Sequence, residues 1–290
     1  MTIPQLNDYP MPTPDAFPAN RVAWQPDPAR AVLLIHDMQR YFLGFYGADS
    51  ALARQLTDNL ARLRRWADAC GVPVVYTAQP HRQSPADRAL LTDMWGPGLT
   101  VAEPALQRIV DELEPGGRDT VLVKWRYSAF KRSDLGELLK GWGRDQLIIG
   151  GVYAHIGCLA TALDAFMNDV QPFRVGDAVA DFSEADHLMA LRYVATRCGR
   201  VVDTAGLVGA TDGALSREWL LGRVRRLISE DEGELDLDEN LLHYGLDSIQ
   251  VMTLAVELRE RGVRLSFEEL ARSPTLNAWC ALIEDKRVAA

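Results

Sequence analysis

The stretch AVLLIHD, Ala31 to Asp37, decides how the larger part of this chain folds. Its apolar residues run without a polar partner at alternate positions, so a strand here is buried on both faces. Five further short runs of the same kind follow: VPVVYTAQ (72–79), TVLVKW (120–125), QLIIGGVY (146–153), FRVGD (173–177) and RVVDT (200–204). Helical patterns fall between them, among them ALARQLTDNLARLRRWADAC (51–70), LGELLKGW (135–142), LATALDAFMNDV (159–170) and ADHLMALRYVATRCG (185–199). Strand and helix in alternation, with fully apolar strands, predict an α/β fold. Its sheet is doubly wound and mostly parallel, and it extends over roughly Arg30 to Thr204.

On either side of that block the chain changes character. Seven of the fifteen prolines lie within the first 28 residues, so this segment is expected as an extended arm, lying on the body or on a second subunit. After Thr204 the sequence TAGLVGATDGALS is rich in Gly, Ala and small polar residues, which predicts a linker. Beyond it no strand is expected. Helical signals cover Ser216–Ile228, Ser248–Arg261, Phe267–Ala271 and Thr275–Asp285, with the acidic loop SEDEGELDLDEN between the first two. These describe a small all-α four-helix bundle. The expected domains are therefore residues 1–205, a linker at 206–215, and residues 216–290. No internal repeat is visible.

Bulk composition narrows the function classes. With 48% hydrophobic and 24% charged residues, 290 residues suffice for two folded cores. A net charge of −9 argues against nucleic acid and anionic membrane surfaces as partners. From Gly213 onward there are 15 acidic and 10 basic residues, so the bundle carries −5 of that charge. Cys70, Cys158, Cys198 and Cys280 are scattered without a CxxC pair, as expected in a reducing cytosol. No signal-peptide pattern and no membrane-spanning run is present, and a cytoplasmic location is the expectation.

Ligands of a parallel sheet bind beyond the carboxyl ends of its strands. Those positions carry His36-Asp37 after the first strand, Gln79 after the second, Lys124 after the third and the turn GGVYAHIGC after the fourth. Singly, Asp37 reads as a helix cap, Lys124 as a solvated charge and Arg88 as a surface partner. Four successive strand ends with such residues indicate a site. No second His or Asp recurs at metal-ligand spacing, so a metal-free site is expected.

In the bundle, HYGLDSIQVMTLAVEL, His243 to Leu258, places Val251, Leu254, Ala255 and Leu258 on one buried helical face. Asp247 is a good N-cap, Gly245 marks the turn before it, and Ser248 opens the helix. Position alone makes Ser248 an ordinary first-turn residue. Leu241, Leu242 and Tyr244 through Ser248, however, resemble the phosphopantetheine attachment motif of acyl, peptidyl and aryl carrier proteins. The resemblance extends over the last 75 or so residues. It implies 4′-phosphopantetheine on Ser248, where a helix N-terminus favours an incoming phosphodiester. Asp247 either caps the helix or helps hold the transferase's metal. Ile249, Met252 and Phe267 either extend the core or form an apolar patch for partner enzymes.

Residues 1–205 resemble the isochorismatase-like hydrolase family, with its cysteine-hydrolase fold, through LLIHDMQRYF, YTAQP, DRALLTDMWGPG, VKWRYSAF and GVYAHIGCLATALDAFMNDV. The complete chain looks like the bifunctional isochorismatase and aryl carrier proteins of 2,3-dihydroxybenzoate siderophore assembly by non-ribosomal peptide synthesis. Many relatives are amidases with an Asp–Lys–Cys triad. At the matching position this chain has Gly157, and Cys158 is one residue on, turned by about 100° on a helix and so into packing.

The resemblance implies hydrolysis of the vinyl ether of isochorismate by acid catalysis, without a covalent intermediate. It assigns Asp37 as general acid with Lys124 beside it, although a nearby ammonium lowers a carboxyl pKa that a general acid needs raised. Arg88 becomes the carboxylate clamp for a dianionic substrate. Gln79 and Tyr153 supply neutral hydrogen bonds, Trp95 walls the ring, and Gly157 leaves room for the enolpyruvyl group. Arg126 is a weaker candidate, and His36 and His155 border the set. Implied partners are a phosphopantetheinyl transferase, an aryl-acid adenylating ligase, a condensing non-ribosomal peptide synthetase and a second copy of the chain. Two alternatives stand beside this reading: an amidase-type hydrolase using Cys158, and a non-catalytic scaffold presenting a carrier.

Overall fold

A computed structural model of the chain describes residues 3–212, 217–228, 235–260, 263 and 265–288. They fall into two compact units, Met1–Val208 and Gly209–Ala290.

In the first unit the six expected strands form one sheet: β1 (Ala31–His36), β2 (Val74–Ala78), β3 (Thr120–Val123), β4 (Gln146–Val152), β5 (Gln171–Ala180) and β6 (Arg200–Val202). Their order is β3-β2-β1-β4-β5-β6, and every pairing between them is parallel. All six residues of β1 are buried, as its unbroken apolar run requires. Odd and even residues of β1 face opposite layers. Leu33 and Ile35 join one core with Leu52, Leu56, Leu60 and Leu63 of helix α1 (Ala51–Ala69). Val32 and Leu34 join the other, built from α2 (Leu135–Gly141), α3 (Leu159–Met167) and α4 (Glu184–Tyr193). Each fully buried leucine contributes about 1.5–3 kcal/mol relative to exposure.

Winding reverses between β1 and β4, so the loops leaving those two strands diverge and open a crevice at their carboxyl ends. The proline-rich arm lies on this same unit, the first of the two placements left open by sequence. Leu6 and Met11 are buried in the α1-side core, and Asp8 accepts hydrogen bonds from Ser50 Oγ and Ala51 N at the start of α1.

The segment expected as a linker differs. Thr204–Asp212 is a helix, α5, and Leu207 is buried in the hydrophobic core beside β5. Asp177 anchors its first residue, accepting from Thr204 N and Oγ1 at 2.8 Å each. Small residues here permit close helix packing rather than freedom. The rest of the expected linker, residues 213–215, lies outside the described residues, as do Ser229–Glu234 of the acidic loop.

The second unit contains α6 (Arg217–Leu227), α7 (Ser248–Glu260), α8 (Phe267–Arg272) and α9 (Leu276–Val288). Val251, Leu254 and Leu258 of α7 are buried around the fully buried Trp279, whose indole donates to the Leu270 carbonyl at 2.8 Å.

Candidate active site

The strand ends converge on a pocket lined mainly by apolar and aromatic side chains, with a few polar groups among them, the make-up of small-molecule sites. All seven residues expected at the site line it: Asp37, Gln79 and Lys124 from the first three strands, Arg88 and Trp95 from the connection after β2, and Tyr153 and Gly157 after β4.

Asp37 follows β1 directly with φ 50°, an unusual backbone conformation for a residue other than glycine. Parallel register sets Thr77 of β2 opposite His36. From there the Thr77 hydroxyl accepts from Asp37 N at 3.1 Å and donates to Asp37 Oδ1 at 2.6 Å. Lys124 Nζ donates to the other carboxylate oxygen at 2.8 Å, and both side chains are buried. Burial pushes the Asp37 carboxyl up, but the charge and hydrogen bonds of Lys124, with Thr77, outweigh it and leave the carboxyl below its ordinary value. The free site therefore holds an ionised Asp37 beside Lys124.

Arg88 is 6% exposed and finds no carboxylate among the described residues. Its Nε donates to the Gly96 carbonyl at 2.8 Å, while its terminal nitrogens lie against Gly98, where a Cβ would come within 2.5 Å of Nη2. Among the described residues only Asp37, Arg88 and Lys124 carry charge on the cavity wall, so a site of net positive charge sits inside a chain of −9. A buried guanidinium without a carboxylate partner can hold an anion.

Other expectations change with the geometry. The Tyr153 hydroxyl donates to the Phe42 carbonyl at 2.8 Å, so its one proton is spent and it cannot donate to a ligand. Its ring forms a wall instead, edge-on to Phe182 with centroids 4.8 Å apart. The space opposite Gly157 is not open either. A Cβ there would lie 2.3 Å from His36 Cε1, so the imidazole fills the room expected for the enolpyruvyl group. His36 Nδ1 donates to the Val152 carbonyl at 2.8 Å, and burial, then Lys124, bring the ring down to about 4, which keeps it neutral.

Arg126 is structural: it donates to the Asp87 carbonyl at 2.7 Å and is absent from the cavity wall. His155 pairs with Asp181 behind Phe182. Cys158 is fully buried in the α3-side core, off the cavity wall, and burial pushes its thiol up to about 12. Among the described residues no three His, Cys, Asp or Glu side chains converge as a metal site would require.

Sequence reading missed Thr77, Gln39 and Tyr127. Gln39, fully buried, clamps Gln79 by accepting from its N at 2.7 Å and donating to its carbonyl at 2.9 Å. Thr77 depends on the β1–β2 register, and the Gln39–Gln79 clamp on how the loops leaving those strands meet.

In the second unit Ser248 is exposed at the start of α7, after a turn at Gly245 with φ 82°. Asp247 and Gln250 cap each other: Gln250 N donates to Asp247 Oδ1 at 2.8 Å, and Asp247 N to Gln250 Oε1 at 2.7 Å. Capping is thus a role Asp247 fills. An unencumbered serine on a helix N-terminus suits attachment of a phosphodiester-linked arm. Beside it Ile249 and Met252 are 73% and 50% exposed, whereas Phe267 packs against the core.

These features define an α/β enzyme equipped for acid–base chemistry without a thiol nucleophile, joined to a helical carrier. Comparison with known proteins agrees. Residues 31–206 match the isochorismatase domain, and residues 218–283 the phosphopantetheine attachment site. The chain belongs to the isochorismatase family of hydrolases, and its last part is a carrier domain whose covalent cofactor is phosphopantetheine. It is 51% identical over 283 residues to enterobactin synthase component B of Escherichia coli (strain K12), covering 98% of both chains. It is 46% identical to an isochorismatase of Bacillus subtilis (strain 168), covering 98% of this chain and 96% of that one. Among solved structures, a cysteine hydrolase from Pseudomonas syringae pv. phaseolicola shares the fold, with a TM-score of 0.61 at 24% identity over 68% of this chain and 98% of that chain. Among the described residues no helix is long and apolar enough to cross a membrane.

Proposed function

We propose that the first unit hydrolyses the vinyl ether of isochorismate to 2,3-dihydro-2,3-dihydroxybenzoate and pyruvate, and that Ser248 of the second carries the derived aryl acid as a phosphopantetheine thioester. The observation that supports this most is the buried set Asp37, Lys124 and Arg88 on one cavity wall that excludes Cys158. A dianion meets two cations there, and its carboxylates compete with Asp37 for Lys124. That competition raises the affinity of Asp37 for a proton, which resolves the conflict between an ionised resting carboxyl and its use as an acid.

In the reaction Asp37 gives its proton to the terminal vinyl carbon, forming a methyl group and an oxocarbenium ion. Water adds to the cationic carbon and returns a proton to Asp37. The hemiketal then breaks its bond to the ring oxygen, which takes the hydroxyl proton and leaves pyruvate. One water is consumed, and no enzyme atom bonds to substrate. Gln79 offers a neutral amide to the substrate, Trp95 a face for its ring. An amidase-type reaction through Cys158 is disfavoured by that thiol's burial.

A phosphopantetheinyl transferase loads Ser248, an adenylating ligase charges it, and a condensing synthetase unloads it. The exposed Ile249 and Met252 are suited to these encounters. Four free cysteines accord with a reducing cytoplasm. Family resemblance supports a homo-oligomer, which sedimentation measures.

Pyruvate release, followed with lactate dehydrogenase, tests the assignment. Asp37→Ala should lose about 10²–10⁴-fold in kcat, while Ser248→Ala keeps full hydrolysis and fails to gain mass from coenzyme A and a transferase. Undiminished turnover in Asp37→Ala would reject the acid.

A further inference from the structure

Two tyrosines that line the cavity put their hydroxyl protons to different uses. Tyr153 spends its O–H on the Phe42 carbonyl, whereas Tyr127 does not spend its own. Tyr127 stands three residues after Lys124, and its hydroxyl meets Trp95 Nε1 at 2.9 Å. An indole nitrogen only donates, so in this bond the tyrosine oxygen must accept. Its O–H proton is left for solvent or a ligand, since Tyr127 is 37% exposed and among the described residues no acceptor is in hydrogen-bonding range of it. Tyr41 also reaches the wall, but no neighbour fixes the direction of its hydroxyl.

We infer that Tyr127 is a substrate-binding donor, aimed by Trp95, that hydrogen-bonds an oxygen on the ring half of the substrate. This rests on the reading of the site given above. Asp37 and Lys124 occupy the end where the enol ether reacts, while Trp95, itself edge-on to Phe182 at 6.1 Å, belongs to the ring wall. A hydroxyl tied to that wall serves the ring carboxylate or a ring hydroxyl, and it serves them in ground state and transition state alike. Its contribution therefore falls on binding rather than on the chemical step. The Trp95–Tyr127 bond also joins the connection after β2 to the segment after β3, so the donor is placed before substrate arrives.

Calorimetry with 2,3-dihydroxybenzoate as a ring-half probe, pyruvate as the other half, and isochorismate kinetics together test this. In Tyr127→Phe, 2,3-dihydroxybenzoate should bind about 10-fold more weakly, pyruvate equally well, and KM for isochorismate should rise about 10-fold with kcat within about twofold. Trp95→Phe, which keeps a ring but lacks the N–H, should show a smaller loss of the same kind. Equal binding of 2,3-dihydroxybenzoate by wild type and Tyr127→Phe overturns the inference, as does a loss confined to pyruvate. A wild-type protein that binds the aryl acid through Tyr127 yet never releases pyruvate from isochorismate would support Tyr127 and reject the hydrolytic reading alone.

Discussion

The two functional corners of this molecule obey opposite rules. At the sheet's edge Asp37, Lys124 and Arg88 are each at most 6% exposed, and the chemistry proposed for them depends on charges that water does not screen. At the start of α7 Ser248, the proposed attachment serine, stands in solvent with apolar side chains uncovered beside it. A catalytic site must hold its groups against relaxation, whereas a carrier site must be reached by several enzymes in turn. The first kind is sensitive to anything that disturbs burial, and the second tolerates change. That contrast can be attacked experimentally.

Acid should separate the two units most. His36 and His187 are buried neutral and titrate near 4 in the fold against about 6.5 unfolded. Their folded values are depressed, so the unfolded chain binds protons first, and the stability they confer is full above about pH 6.5 and lost as pH falls toward 4. Each accounts for about 3 kcal/mol over that window. Asp37, also depressed, withdraws its contribution only at lower pH, below the ordinary carboxylate value. The carrier's described histidine, His243, is exposed. Denaturant melts at pH 7 and 4.5 should show the hydrolase transition shifting strongly and the carrier transition little. Parallel shifts would erase the contrast.

A smaller effect is expected at Gly157. A methyl group there meets His36 Cε1 at 2.3 Å and must displace the imidazole beside Asp37. Gly157→Ala should lower kcat/KM by about 10²-fold, the usual result of ångström-scale misplacement, and leave carrier loading untouched. Full activity would show that His36 yields at no cost. Least of all is expected at Met252, half-exposed on α7. Met252→Ala should move carrier stability by less than about 0.5 kcal/mol while slowing aryl transfer by partner enzymes. Unfolding of the bundle would make it core.

Most of the architecture was legible because β1, β2 and β4 are apolar and buried on both faces, whereas the edge strand β3 carries the same apolar pattern with Val121 and Val123 exposed. The strand ends then marked the cavity, since topology alone carries Asp37, Gln79 and Lys124 to one edge. What sequence could not show depends on contacts between distant segments. Thr77 reaches Asp37 only through the β1–β2 register, and Tyr153 loses its donor only because Phe42 happens to lie opposite. At Thr204–Asp212, composition suggested freedom, but a buried Leu207 and the anchor at Asp177 order the segment. Gly157 was expected to leave room for the enolpyruvyl group, but the neighbour that takes the space is His36.

The arm has a consequence for how the protein is made. Tyr9 accepts from Asp181 N at 2.7 Å and donates to His187 Nδ1 at 3.0 Å, a bond between residues 178 positions apart. During synthesis Tyr9 emerges from the ribosome roughly 10–35 s before these two partners exist. Asp8 can meet Ser50 and Ala51 early, but Tyr9 must wait until β5 and α4 have been translated, so a segment made well before them is among the last to come to rest.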